Sequence, residues 1–471
     1  MRQNAPRLIN RRPTRLCGNH AAHYHAAQRN GNTQALLKRR RDHSRADVSA
    51  TGRKPAQQNG RIKMRGKFFA ALAATAIIAT IGASAHDAQA QAPKSVKIGY
   101  AISKTGPFAG GASITTLGPY LTWIKDVNDA GGLKLGDKRV PIEIVEYDDR
   151  SNSEEMIKGI ERLINQDKAD FILPPWGTGF NLAAAPILNR AGYPHLGVTV
   201  TSNRAAELAQ RFPNAVFLLG TPNEGVENLV KILEKAKADG KIGDTIAMVS
   251  VSDQFGIELS TAAREGFKKA GFKVVYDKSY PIGTQDLQPV LKEAMDSKAD
   301  SFVAFSYPPD TLGLTEQARV LNYNPKVFYT AVGTAFPLFK QRFGANAEGV
   351  LGIGGVNPDT PEFKDYVKRH AAANGGREPD RWANPVTYAS LQMLQQAIER
   401  VGKVDRAAVI KEIHNGTFDT VIGKIKLEKG LRMNSWQVGQ WQNGEFYGVA
   451  PTNLPGAKPV QLPKPAWKSG S

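Results

Sequence analysis

Along residues 91–471, short apolar runs rich in strand formers alternate with segments whose apolar positions recur every three or four residues. The strand-like runs are 95–102 (SVKIGYAI), 140–147, 169–174, 194–200, 246–251, 273–277, 301–306 and 327–332. Several are apolar on consecutive residues, the mark of strands buried on both faces. Between them, Leu117, Tyr120, Leu121, Ile124 and Val127 share one helical face, and Gly131-Gly132 ends that helix. Ser151 with Glu154 reads as a capping box opening the next helix. Val226, Leu229, Val230 and Leu233 mark another, and Leu259, Ala263 and Phe267 precede a stop at Gly271. Residues 382–401 read as a long helix. The alternation predicts an α/β fold of parallel sheets covered by helices. The pattern runs twice, before and after residue 220, with Thr221-Pro222-Asn223 as the joint. The character changes over 421–449, which is rich in strand formers and holds a hairpin signal at Asn443-Gly444. Five prolines in 451–471 predict a peripheral Pro-rich C-terminal tail.

Charge changes the picture at the N-terminus. The chain carries a formal +19, but residues 1–63 hold 15 Lys/Arg and 2 acids, while the part after residue 90 carries only +5. A nucleic-acid-binding body is therefore excluded, and 1–63 reads as a disordered basic leader lying outside the mature protein. Met64 opens a second N-terminus: Arg65 and Lys67, then 15 uncharged residues from Phe68 to Gly82, then Ala83-Ser84-Ala85 and Ala88-Gln89-Ala90. That is the layout of a signal peptide over 64–90, too short to span a bilayer. It predicts a soluble protein of the periplasm. The single cysteine, Cys17, lies in the leader, so the body has no disulfides, thiolate metal sites or cysteine nucleophile.

Enzyme motifs are missing. The three histidines of the body, His195, His370 and His414, stand in no metal-ligand spacing, and there is no nucleophile elbow or phosphate-binding loop. No catalytic residue, metal or cofactor is expected. Ligands of open α/β sheets sit at the carboxyl ends of strands. There the sequence places 103–111 (SKTGPFAGG), 174–179 (PPWGTG) and 199–203 (TVTSN). Hydroxyls and free N–H groups at the start of a helix suit a carboxylate.

In order and spacing, IGYAISKTGPFAGG (98–111), VNDAGG (127–132), IEIVEYDDRSN (142–152), GTGFNLAAAPILNRAGYP (177–194), VSVSDQFG (249–256) and EQAR (316–319) resemble the leucine/isoleucine/valine-type periplasmic binding proteins of ABC transporters. The resemblance implies a type I clamshell of two doubly wound Rossmann-like lobes joined by a hinge. Lobe one would hold 95–220 and 349–427, and lobe two 221–348 and 428–450, with crossings near 219–222, 347–350 and 425–430. It also implies that a ligand carboxylate meets Thr178, the main chain of Thr199, and Thr201. Phe108, Trp176 and Phe255 would form the wall, and Tyr307 would close from lobe two. The position that carries an acid in amino-acid binders of the family falls here on Ala331 or Val332. The ligand class is thus a small carboxylate, either an apolar amino acid or an aromatic or aliphatic acid that Val332 would suit, with an amide or urea as a further alternative. The implied partner is a membrane permease on a separate chain, and a monomer is expected. A sensor of the same fold, signalling to a regulator or chemoreceptor, is the rival reading.

Overall fold

In the computed structural model, residues 93–356 and 360–468 are described. The expected leader (1–63) and signal peptide (64–90) lie outside the described residues. The first strand, Val96–Ile102, runs parallel to Ile142–Asp148 on one side and Phe171–Leu173 on the other. His195–Gly197 and Ala215–Phe217 form a further parallel pair in the same half. The second half builds a seven-stranded sheet in the order 445–450, 438–442, 351–353, 327–330, 301–305, 245–251, 273–280. Its inner strands are parallel; Val438–Gln442 and Glu445–Ala450 are antiparallel additions. This is the two-lobed α/β clamshell. The strand interiors explain it: Ile246 to Val249 and Phe302 to Ala304 are fully buried, as sheets covered on both faces demand.

The helices form where periodicity and caps agree. Met156, Ile160 and Leu163 bury one face of Ser153–Asn165. Its N-cap is Asn152, whose side chain accepts from the Glu154 and Glu155 amides, and not the expected Ser151. Ser151 has φ +57° and donates its hydroxyl to Thr105 O instead. The long helix is Ala383–Val401, and Asn443-Gly444 makes the hairpin turn with both residues at positive φ, as expected.

Three boundaries move. Leu351–Ile353 pairs with Tyr329 and with Val438–Gln442, so the second crossing falls after Ile353 and not at 347–350. Leu431 is buried with Val200, Ala205 and Phe217 of the first half, so the third crossing lies between Leu431 and Val438, beyond the expected 425–430. The C-terminal stretch is no peripheral tail. Gln440 Nε2 donates to Gln461 O at 2.8 Å, Lys464 N to Lys326 O at 2.7 Å, and Trp467 Nε1 to Tyr323 O at 2.7 Å. Residues 461–467 therefore strap the second sheet, with Leu462 and Lys464 buried.

Candidate ligand-binding site

Loops from the carboxyl ends of strands in both halves meet around one small gap of about 20 Å³. From the first half come Trp176 after Phe171–Leu173, Thr199 after His195–Gly197, and Leu219 after Ala215–Phe217. From the second come Phe255 after Thr245–Val251, Tyr307 after Ser301–Phe305, and Val332 after Val327–Thr330. Gly177, Thr178, Thr115, Trp382 and Ala383 complete the wall. This is where an open α/β sheet offers a crevice, doubled by two facing lobes.

Aromatic rings fill the junction. Trp176 lies 5.0 Å from Tyr307 and 5.2 Å from Phe108; Phe108 also meets Tyr307 at 5.5 Å. Phe255 stacks on Tyr307 at 5.0 Å with 21° between planes. Each such pair adds about 0.5–1.5 kcal/mol beyond its buried area. The gap has room for about one water because these rings touch across the lobes. Gly111 allows the indole so close: a Cβ there would stand 2.3 Å from Trp176. Trp176 Nε1 donates to Thr115 Oγ1 at 2.8 Å, and Thr115 sits in a π-helical turn, Ser113–Leu117. A π-turn inside a helix is a common device for re-aiming a side chain at a site.

Polar groups converge at one end. Gly177, at φ +93° and ψ 152°, brings no side chain to cap the helix Thr178–Arg190, and the first amides of that helix have no acceptor among the described residues. The helix Gln254–Lys269 begins opposite: a Cβ on Gly179 would lie 3.9 Å from Gln254 Cβ. Two helix N-termini therefore bring partial positive charge to one place. Thr201 N donates to Thr178 Oγ1 at 3.3 Å, which ties the two threonine turns together. Nearby, Ser202 Oγ donates to Glu258 Oε1 at 2.8 Å, a polar contact between the halves.

Tyr307 donates its hydroxyl to Asp253 Oδ2 at 2.7 Å, and Asp253 Oδ1 accepts from Gly256 N at 2.9 Å. Burial raises the pKa of both groups. Asp253 does not line the gap, and no residue of that wall is acidic.

Asp380 precedes the wall residue Trp382. It is fully buried; Oδ1 accepts from Trp382 N at 2.6 Å and Asn384 N at 3.1 Å, and Oδ2 has no partner among the described residues. Burial pushes its pKa from 3.8 up to about 7. A carboxyl with a raised folded pKa gives stability that is complete below its unfolded pKa and is lost as pH rises through the folded one. Asp380→Asn keeps an acceptor for both amides and removes that loss. The variant should therefore gain on the wild type between pH 4 and pH 8, by up to about 4 kcal/mol for a shift of about three units. Calorimetric melts across that range check it; a constant difference would mean that Asp380 does not titrate there.

Of the expected site residues, Thr178, Thr199, Trp176, Phe255, Tyr307 and Val332 line the gap. Phe108 sits one ring behind, against Trp176 and Tyr307. Thr201 lies behind Thr178, and its hydroxyl donates to Gly220 O at 3.1 Å at the first crossing. The Thr199 hydroxyl is also committed inward, accepting from Gly177 N at 3.1 Å. Thr115, Leu219, Trp382 and Ala383 were missed. Leu219 could have been found as the residue following a strand; Thr115 and Trp382 carry no motif, since a π-turn and a long loop bring them in.

A cleft between two Rossmann-like lobes, walled by strand-end loops and containing helix N-termini, defines a ligand-binding receptor of the clamshell class. The chain belongs to the periplasmic binding protein family, whose model matches residues 95–445. It is 25% identical over 318 residues to the Leu/Ile/Val/Thr-binding protein of Salmonella typhimurium, covering 67% of this chain and 82% of that protein. Two solved structures share the fold. One is a branched-chain amino acid transporter substrate-binding protein from Streptococcus pneumoniae in complex with isoleucine (TM-score 0.66, 19% identity, 76% of this chain and 99% of that one). The other is a solute-binding protein of an ABC transporter from R. palustris in complex with benzoate (TM-score 0.65, 18% identity, 79% of this chain and 97% of that one). The family is one of transport receptors rather than enzymes. No helix among the described residues is long and apolar enough to cross a membrane.

Proposed function

We propose that the protein is the periplasmic substrate-binding component of an ABC transporter and that it carries a small aromatic carboxylate of the benzoate type to a permease on a separate chain. The observation that carries the ligand class is the composition of the wall: four aromatic side chains (Trp176, Phe255, Tyr307 and Trp382) and Val332 beside the N-terminus of Thr178–Arg190, with no acidic side chain. An α-amino acid would bury an ammonium without a paired charge, which is costly. A benzoate-type acid asks only for donors at one end and rings at the other. The likeness of the benzoate-bound solute-binding protein supports this class. The curated amino-acid-binding relatives support the branched-chain amino acids as the second reading.

In this reading the carboxylate meets the first amides of the helix at Thr178, with the Thr178 hydroxyl and the Thr199 main chain beside it. Thr201 supports Thr178 from behind. Trp176, Phe108 and Phe255 clasp the ring, and Tyr307 closes from the second lobe. Open and closed forms exchange, and the ligand favours the closed form because only there does it touch both lobes. A micromolar ligand supplies about −8 kcal/mol in total, part of which offsets the separation of rings that otherwise pack on one another.

A melting-shift screen with benzoate, 4-hydroxybenzoate, benzamide, leucine and isoleucine tests the reading. Benzoate or 4-hydroxybenzoate at a hundredfold excess over Kd should stabilise the protein by about 2.7 kcal/mol. A response to leucine or isoleucine with none to the aromatic acids would give the site to amino acids. Equal responses to benzamide and benzoate would remove the carboxylate from the argument.

A further inference from the structure

We propose that His195 is a positioning residue for the carboxylate grip, acting through Asn181; the proposal rests on the reading of the Thr178 turn as that grip. His195 lies on the buried strand His195–Gly197 and is 2% exposed. Its Nε2 stands 2.9 Å from Asn181 Oδ1. Asn181, also buried, reaches back from the first turn of Thr178–Arg190 to the loop that precedes it. Its Nδ2 offers two protons to three acceptors, Pro175 O at 2.8 Å, Gly177 O at 2.9 Å and Thr199 Oγ1 at 3.2 Å. Thr199 Oγ1 in turn accepts from Gly177 N. One amide group therefore fixes both carbonyls that flank Trp176 and one of the two threonine turns.

An asparagine amide can sit either way round, and only one way serves here. Flipped, Oδ1 would face the Pro175 and Gly177 carbonyls, three acceptors with no proton between them. A proton on His195 Nε2 strengthens the choice those carbonyls make, because it needs Oδ1 as its acceptor. That demands the neutral Nε2–H tautomer. Two observations agree: Nδ1 has no partner among the described residues, and burial pushes the imidazole pKa down to about 4. A buried polar ring with one nitrogen unpaired costs stability. An apolar side chain would fill the place without that cost, so the ring is explained by the amide it orients.

The proposal is tested in the ligand-free protein and with benzoate as the probe. Long-range nitrogen–proton correlation of the wild-type ring should show a neutral imidazole with its proton on Nε2; a proton on Nδ1 overturns the proposal. In His195→Leu, exchange of the Gly177 amide should quicken at least tenfold relative to the amides of Val96–Ile102, and Kd for benzoate should rise at least tenfold. His195→Gln, which retains a donor, should keep both within about threefold. Exchange that quickens evenly across the lobe, or unchanged Gly177 protection in His195→Leu, or a glutamine variant as impaired as the leucine one, assigns His195 to packing alone. If benzoate does not bind the wild type, the ligand reading fails by itself, and the tautomer and the Gly177 exchange still decide the role of His195.

Discussion

Trp176→Ala should raise Kd for benzoate by about thirtyfold or more, the loss of about 2 kcal/mol or more that removing a central aromatic anchor brings. The indole is 3% exposed, lies between Phe108 and Tyr307, and is one of the contacts through which the first lobe meets the closing face of the second. Removing it takes away the surface on which a ligand ring would pack and also part of what holds the lobes together. The fold suffers too: a Trp→Ala change in a core costs about 3–5 kcal/mol. Trp176→Phe separates the two effects. It retains a ring and gives up the Nε1 donor to Thr115, a loss of about 0.5–1.5 kcal/mol, so its Kd should change by at most about tenfold. Isothermal titration of each variant, beside its ligand-free melt, makes the comparison. An alanine variant that binds benzoate as the wild type does would place the ligand elsewhere.

The sequence showed the architecture well because the strands of both lobes are apolar on consecutive residues and the helices between them are not. Ile246 to Val249 and Phe302 to Ala304 can belong only to a sheet covered on both sides, and each of the eight runs read as a strand overlaps one. The boundaries were less legible. Leu351–Ile353 is three residues long, too short to carry a period, and its place in the second sheet is fixed by partners at Tyr329 and Val438–Gln442. The tail was misread because prolines say where a chain leaves a sheet and not what it then packs on; Trp467 and Lys464 settle that through contacts with Tyr323 and Lys326. At the site, residues that follow strands were visible because topology alone sends them to the crevice. What a hydroxyl bonds to was not visible: Thr199 and Thr201 look alike in sequence, yet one turns to Gly177 and the other to Gly220. His195 stands in no ligand spacing along the chain, and only the folded structure connects it to the loop before Thr178.

Gly177→Ala should impair ligand binding at least tenfold while leaving the protein folded, and the reason lies in the backbone alone. At φ +93° and ψ 152°, Gly177 occupies a region that only glycine enters freely, and a side chain there costs about 1–3 kcal/mol. Crowding does not contribute, since a Cβ at that position meets nothing nearer than the Tyr307 hydroxyl at 4.0 Å. The alanine chain can escape the strain only by rotating the peptides on either side. That movement breaks the Gly177 N–H bond to Thr199 and the Asn181 bond to Gly177 O, and it redirects the first amides of Thr178–Arg190. Asparagine, which tolerates positive φ near the left-handed helical region, gives no relief at this ψ, so Gly177→Asn should behave as Gly177→Ala. The melting temperature should fall by no more than the strain implies, while the carboxylate grip is lost, because the same rotation that relieves the chain moves the donors a ligand would meet. Titration with benzoate and a ligand-free melt measure the two effects separately. An alanine variant with unchanged affinity would mean that the turn does not hold the ligand.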